Sequence, residues 1–117
     1  MENVFTYTIH VPGALTADIV NYITLPFDAQ LIHVSATGSN ANDGKLSIGY
    51  AGAASAYLAA AAIGDSGTPA VVSRAGFVGG QYPHLSAGTT LVVTLDYDGA
   101  SGVATQNYTC VLTFTKG

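Results

Sequence analysis

Two carboxylates stand two residues apart at Asp96 and Asp98, followed by Gly99, and this spacing begins like a calcium-binding loop. The twelfth position counted from Asp96 is Asn107, where such a loop needs a bidentate Glu, and no helices are predicted on either side. The pattern therefore predicts polar residues opening a turn. A weak cation site at a subunit junction remains the alternative.

Zinc chemistry and thiol chemistry have few candidate residues in this chain. A zinc site needs three or four converging ligands, and none of the three histidines (His10, His33, His84) has a second ligand at close spacing. The single cysteine, Cys110, excludes an internal disulfide, and it lies in an apolar alternation that predicts a buried thiol. We predict no metal ion and no cofactor.

Catalytic patterns are also missing from the sequence. Glycosidase chemistry needs two carboxylates across a cleft, but the chain has one glutamate, Glu2, and its aspartates fall mostly in predicted turns. The string at residues 64–67 (GDSG) lacks the spacing of a nucleophile elbow, and there is no glycine-rich phosphate loop with its lysine. We therefore predict that the chain is not an enzyme and has no catalytic residues.

Charge is the most unusual property of the composition. Charged residues make up 9% of the chain and hydrophobic residues 49%, whereas an ordinary soluble domain has about a quarter charged residues. Three Lys and Arg residues in total cannot form the basic stripe that nucleic-acid binding requires. No apolar run has membrane-spanning length, and residues 1–3 do not begin a signal peptide, so we expect cytoplasmic synthesis and no membrane partner. A surface with so few charges favours a protein that works inside a larger assembly.

The elements that must position any site are predicted to be strands. Alternating or β-branched segments separated by Gly, Pro, Asn and Asp indicate eight strands in a single domain, residues 1–117. They are predicted at residues 3–11, 18–25, 31–37, 45–50, 69–73, 81–85, 89–97 and 104–115. The alanine-rich residues 51–63 favour an irregular crossover with a short helix. This pattern predicts an all-β antiparallel sandwich with the topology of an eight-stranded jelly roll.

The order of three segments resembles that of a known group of proteins. The first segment, residues 25–34 (LPFDAQLIHV), has an apolar residue, Pro-Phe, a turn and then a strand. The second is the strand at residues 46–48, and the third is LSAGTTLVVTLD at residues 85–96. Over residues 15–115 this is similar to the small β-sandwich decoration (cement) or head-fibre proteins of tailed bacteriophages. The resemblance implies a structural virion protein, a trimer in most cases, that binds the major capsid protein on the capsid exterior and stabilises capsomer junctions.

Aromatic and apolar side chains are the candidates for such contacts, because tyrosines on sandwiches often pack at interfaces. The predicted interface residues are Phe5, Tyr7, Tyr57, Leu58, Phe77, Tyr82 and His84. We further expect that deletion of residues 1–8 leaves a folded domain that no longer attaches to capsids. The main alternative is a receptor- or carbohydrate-binding module of a phage fibre, with tyrosines such as Tyr82 as its platform. A subunit of another shell or filament is a second alternative.

Overall fold

The computed structural model describes residues 4–116, and residues 1–3 and 117, including the predicted strand start at residue 3 and Glu2, lie outside the described part. Its strands are β1 (Val4–Ala14), β2 (Ile19–Thr24), β3 (Ala29–Thr37), β4 (Lys45–Tyr50), β5 (Ala53–Ala62), β6 (Ala70–Val72), β7 (His84–Leu85), β8 (Thr90–Asp96) and β9 (Gln106–Lys116). Two single-turn 3-10 helices, Arg74–Gly76 and Val78–Gly80, lie between β6 and β7.

The strands form two sheets. The first sheet has the order β1-β9-β3-β6, with β7 also paired to β3, and the second has the order β2-β8-β4-β5. Every pairing between these strands is antiparallel. The prediction of an all-β antiparallel sandwich is confirmed.

The core lies between the sheets and follows the alternation of the sequence. In β9 the four side chains Tyr108, Cys110, Leu112 and Phe114 are fully buried, and the residues between them face outward. Because successive side chains of a strand point to opposite faces, a period of two fills the core from one face only. The second sheet supplies the opposite wall, with Leu46 and Ile48 from β4 and Leu91, Val93 and Leu95 from β8.

A bulge in β3 interrupts the simple alternation of its two faces. Simple alternation places Ile32 on the same side as Val34 and Ala36. In the structure the register against β9 shifts between Leu31 and His33, so Leu31 is fully buried together with Val34 while Ile32 is only half-buried. An extra residue in one strand reverses the alternation at that point, and the sequence carries no clear signal for it.

The prediction for residues 51–63 is wrong, because this segment is strand β5 and not an irregular crossover with a helix. It forms a hairpin with β4 around Gly52, whose φ of 89° favours glycine, and its register against β4 shifts twice. Pairing with β4 satisfies its backbone, and Leu58 is buried in the core. Tertiary pairing thus overrides the helix propensity of alanine. The predicted count of eight strands missed β5.

The first strand also runs further than predicted. The predicted strand ended at residue 11, but β1 continues through Pro12 and Gly13 to Ala14 across a register shift. Gly13 has a φ of 84°, and its N–H donates a 2.8 Å hydrogen bond to the Asn107 side chain of β9. The bulge therefore accommodates the proline and glycine without ending the pairing.

Three loops at one end of the sandwich are held together by the side chain of Asn42. Its amide nitrogen donates to the carbonyl oxygens of Asn40 (3.0 Å) and Gly64 (3.2 Å). Its carbonyl oxygen accepts from the N–H of Gly44 (2.9 Å) and from the hydroxyl of Thr105 (3.3 Å). We call this group the loop clasp, and it lies in the irregular loop of residues 38–44 between β3 and β4.

Candidate functional site: an uncharged sheet face and an edge cleft

The outer face of the first sheet is uncharged across three neighbouring strands. The register places threonine opposite threonine or histidine, as in Thr6–Thr113, His10–Thr109 and His33–Thr113. The neutral face comprises Val4, Thr6, Thr8, His10, His33, Ser35, Thr37, Thr109, Val111, Thr113 and Thr115. The outer face of the second sheet differs, because the strand register places the charged residues Lys45 and Asp96 opposite each other there.

Sequence reasoning missed the neutral face, although a signal was present. Thr6 and Thr8 in β1 and Thr113 and Thr115 in β9 recur at every second position, opposite to the buried residues. His10 strengthens the strand pair, since its Nδ1 lies 2.8 Å from the hydroxyl oxygen of Thr109. Apart from the imidazoles of His10 and His33, the face thus consists of short side chains.

Phe5 and Tyr7, two predicted interface residues, lie on β1 at the edge of the first sheet. The Phe5 ring stacks on Phe114 at 5.1 Å and meets the edge of Phe27 at 5.4 Å, so much of it serves the protein's own core. Tyr7 is 43% exposed. Removal of residues 1–8 would delete half of β1 and uncover Phe114, so the structure argues against the expectation that the truncated chain remains an intact domain.

Two other predicted contact residues are inside the protomer. Leu58 and Phe77 are each 2% exposed and belong to the hydrophobic core. Leu58 points inward from β5, and Phe77 closes the core between the two 3-10 helices. Neither side chain has a surface to offer to a partner in this fold, and the prediction that they make contacts is corrected accordingly.

The remaining three predicted residues are brought together in one cleft. Tyr57, Tyr82 and His84 line a cavity of about 570 Å³ at the edge of the sandwich opposite β1. Gln30, Ala56, Val78, Gly79, Gln81 and Pro83 complete the lining. We call this the edge cleft. Gln30 and Gln81 were not predicted, because their role depends on how residues 78–84 fold against β5 and β3.

The wall formed by residues 78–84 is fixed at both ends. Phe77 anchors it in the core, and the Tyr82 ring lies 6.3 Å from the Phe77 ring in an edge-on arrangement. At the other end, Pro83 O accepts a 3.0 Å hydrogen bond from the N–H of Leu31, and His84 pairs with Gln30. The wall is therefore held in place by contacts within the protein and does not need a ligand to form.

Glycine makes the turn in this wall. Gly79 and Gly80 have φ angles of 78° and 66°, in the left-handed region that other residues seldom adopt. The N–H of Gly80 donates to Phe77 O at 2.9 Å. The Gly-Gly pair thus forms a tight turn.

On the β5 side of the cleft, the Tyr57 ring lies 5.7 Å from Tyr50. Burial, with a smaller effect from the nearby Tyr50, raises the pKa of the Tyr57 hydroxyl. Tyr57 therefore stays neutral and remains a hydrogen-bond donor. None of the nine lining residues is Asp, Glu, Lys or Arg, so the cleft offers aromatic, amide and imidazole groups.

The aspartate pair serves a turn. Asp96 Oδ1 accepts from the N–H of Asp98 at 3.0 Å, and Asp98 Oδ1 accepts from the hydroxyl of Ser101 at 2.7 Å. The turn prediction is confirmed. Among residues 4–116, no three His, Cys, Asp or Glu side chains come together as a metal site.

Cys110 is fully buried and unpaired, as predicted. Burial raises the pKa of its thiol from 9.0 to about 11. Burial also raises the pKa of the neighbouring Tyr108 hydroxyl well above its usual range. A thiolate, the nucleophilic form, is thus disfavoured at neutral pH.

The helices found over the described residues are single 3-10 turns, and none has the length or hydropathy to cross a membrane.

Comparison with known proteins adds a structural likeness. No protein-family model and no curated protein matches the chain. The fold is similar to that of a chain in the solved cyanophage Pam1 capsid asymmetric unit, with 18% identity and a TM-score of 0.58. The match covers 97% of this chain and 84% of that chain. At this level of identity the likeness establishes a common fold.

Proposed function

We propose that this protein is a structural component of a bacteriophage virion, a decoration or cement protein that binds the major capsid protein on the capsid exterior. In this proposal it acts as a small oligomer, a trimer, that reinforces capsomer junctions. The observation that carries the proposal is the fold likeness to a chain of a phage capsid asymmetric unit over nearly the whole length. The low charge of the chain gives independent support.

The strand order supports a jelly-roll assignment within this proposal. Strands β6 and β7 pair with successive parts of β3, so they count as two halves of one interrupted edge strand. With that count there are four strands in each sheet. All links except the β4–β5 hairpin and the segment between β6 and β7 cross from one sheet to the other. Jelly rolls with two four-stranded sheets are common in viral capsid proteins.

We propose the neutral face as the surface that contacts the shell. Burying a charged group costs free energy unless it is paired, and this face has no charged side chain to bury. Its short Thr, Ser and Val side chains lose little rotamer entropy on contact. A stable interface of standard size needs about 800 Å² from each partner. Tyr7 is exposed at the β1 edge but lies opposite the buried Leu112, so its side chain is on the other side of the strand from this face.

A charge placed at the centre of the neutral face tests the proposal. Thr113→Glu, on the central strand β9, should weaken capsid binding at least tenfold, about 1.4 kcal/mol, because it buries an unpaired carboxylate. Thr94→Glu is the matched control, because Thr94 is a half-buried threonine on the outward side of β8, the corresponding strand of the second sheet. The measurement is cosedimentation with empty capsids of the parent phage assembled without this protein.

Three outcomes would each contradict one part of the proposal. If the wild-type protein stays in the supernatant with such capsids, decoration is wrong. If Thr113→Glu and Thr94→Glu bind equally well, the neutral face is not the contact surface. Light scattering gives the oligomeric mass, and a monomer at high concentration contradicts the trimer.

A further inference from the structure

We infer that the edge cleft is a binding site for a neutral oligosaccharide, a function separate from capsid attachment. The inference starts from the chemistry of the lining, which combines two tyrosine rings with two glutamine amides and one imidazole and carries no carboxylate, ammonium or guanidinium group. Such a set has no counter-charge for an ionic ligand, so it suits a ligand that is polar and uncharged.

The tyrosines provide the apolar part of the site. Tyr82 is 38% exposed and Tyr57 is half-buried, so both contribute ring surface to the cleft. The face of an aromatic ring is electronegative, and the polarised C–H bonds on one side of a pyranose ring pack against such a face. The same rings keep their hydroxyl groups for hydrogen bonds.

The glutamines and the histidine provide the polar part. Each glutamine amide has two N–H donors and an acceptor oxygen, and a neutral imidazole has one donor and one acceptor. Adjacent sugar hydroxyls likewise donate and accept at once, so an amide can pair with two neighbouring hydroxyls. Gln30 and His84 lie directly opposite each other in the β3–β7 pair, and Gln81 lies on the adjacent wall.

The size and rigidity of the edge cleft fit a small ligand better than a flat protein contact. Its volume of about 570 Å³ falls in the range of small-molecule sites. The wall is anchored by Phe77 and by the Leu31–Pro83 hydrogen bond, so little ordering entropy is lost when a ligand binds. A short oligosaccharide fills such a recess, whereas the neutral face is a more suitable shape for a protein partner.

The test uses the full-length protein on an array of immobilised neutral and acidic oligosaccharides. Each neutral oligosaccharide that binds is then titrated into the isotope-labelled protein and followed by NMR. We expect binding of at least one neutral oligosaccharide, with chemical-shift changes at residues 78–84. Acidic oligosaccharides should not bind more tightly than neutral ones, because none of the lining residues is Lys or Arg.

Two cleft variants and one control define the site. Tyr82→Ala and Gln81→Ala should each lower the affinity at least about tenfold, because each removes one of the few groups that face the ligand. Gln81 is exposed, so Gln81→Ala keeps the test valid if loss of the Phe77 contact unfolds Tyr82→Ala. Tyr22→Ala is the control, since Tyr22 is 69% exposed on β2, away from the cleft.

Several results would overturn the inference. The first is that no neutral oligosaccharide binds. The second is that binding survives both Tyr82→Ala and Gln81→Ala. The third is that Tyr22→Ala lowers the affinity as much as the cleft variants do. A fall in oligomeric mass for Gln81→Ala would also overturn it, because the cleft would then be a subunit contact. Capsid cosedimentation of Gln81→Ala distinguishes this inference from the proposed function. We expect its capsid attachment to be unchanged, so a loss of oligosaccharide binding without a loss of attachment is assigned to the cleft.

Discussion

Replacing Asn42 with alanine should destabilise the fold far more than its loop position suggests. The side chain is half-buried and joins three loops, since it contacts the backbone of Asn40, Gly44 and Gly64 and the hydroxyl of Thr105. Asn42→Ala removes all four hydrogen bonds. It also leaves the hydroxyl of Thr105, a fully buried residue, without the acceptor that it uses in the folded protein.

The size of the effect follows from these contacts. A net hydrogen bond contributes about 0.5–1.5 kcal/mol, and a buried polar group left without a partner costs about 1–3 kcal/mol. Water can replace some partners, because part of the loop surface is exposed. We therefore expect a loss of about 2–4 kcal/mol in the free energy of unfolding, from these hydrogen bonds and the orphaned hydroxyl. For a domain of this size that corresponds to roughly 8–16 °C in Tm.

Urea unfolding followed by circular dichroism measures the change, and a double-mutant cycle with Thr105→Val tests its cause. Thr105→Val alone should cost less than about 1 kcal/mol, because Asn42 keeps its three backbone partners. In the double variant no hydroxyl is orphaned, so the two losses should fall short of additivity by about 1 kcal/mol. An Asn42→Ala loss below about 0.5 kcal/mol, or strict additivity with Thr105→Val, would refute the reasoning.

Two further predictions concern the core and the β4–β5 hairpin. The Cys110 thiol has a pKa of about 11 in the fold against 9.0 as its ordinary value, so the folded state binds this proton more tightly. Its contribution is complete below pH 9 and is lost as the pH rises through 11, so stability should fall by up to about 1.4 kcal/mol per pH unit in that window. Cys110→Val should show a smaller fall in urea titrations at pH 8, 9 and 10, and an identical fall would contradict the assignment. Gly49→Ala should cost about 2–4 kcal/mol, because a Cβ at Gly49 would overlap the carbonyl oxygen of Ala53; a cost below about 1 kcal/mol in urea unfolding would contradict this.

The alternation of the sequence was sufficient to predict the sandwich. In β9 and β8 every second residue is apolar, and in the structure each of those residues is buried. Alanine gave no such guide in residues 51–63, because its small side chain suits a helix, a strand or an outer face. The β3 bulge was equally hidden, since Leu31 and Ile32 are both good core residues and pairing with β9 decides between them.

The candidate site could be predicted only in part. Aromatic type singled out Tyr57 and Tyr82 as interface residues, and both line the cleft, but type alone could not distinguish them from Phe77, which is buried. The difference lies in the turn at Gly79 and Gly80, which directs Phe77 into the core and Tyr82 to the surface. Such a path depends on contacts between distant segments, and no local pattern encodes it.

The four outer strands of the two sheets have a consequence for aggregation. Unpaired strand edges invite other chains to add on, and many proteins prevent this with edge charges that this chain mostly lacks. In this protein irregular strand geometry protects the edges instead of charge. A bulge lies near the end of β1, the register of β5 against β4 shifts twice, and eleven residues separate β6 from β7. Among the edge strands of residues 4–116, only β2 is regular, and it is six residues long. Crowding of many copies promotes misassembly by strand addition. We therefore expect such misassembly to begin at β2.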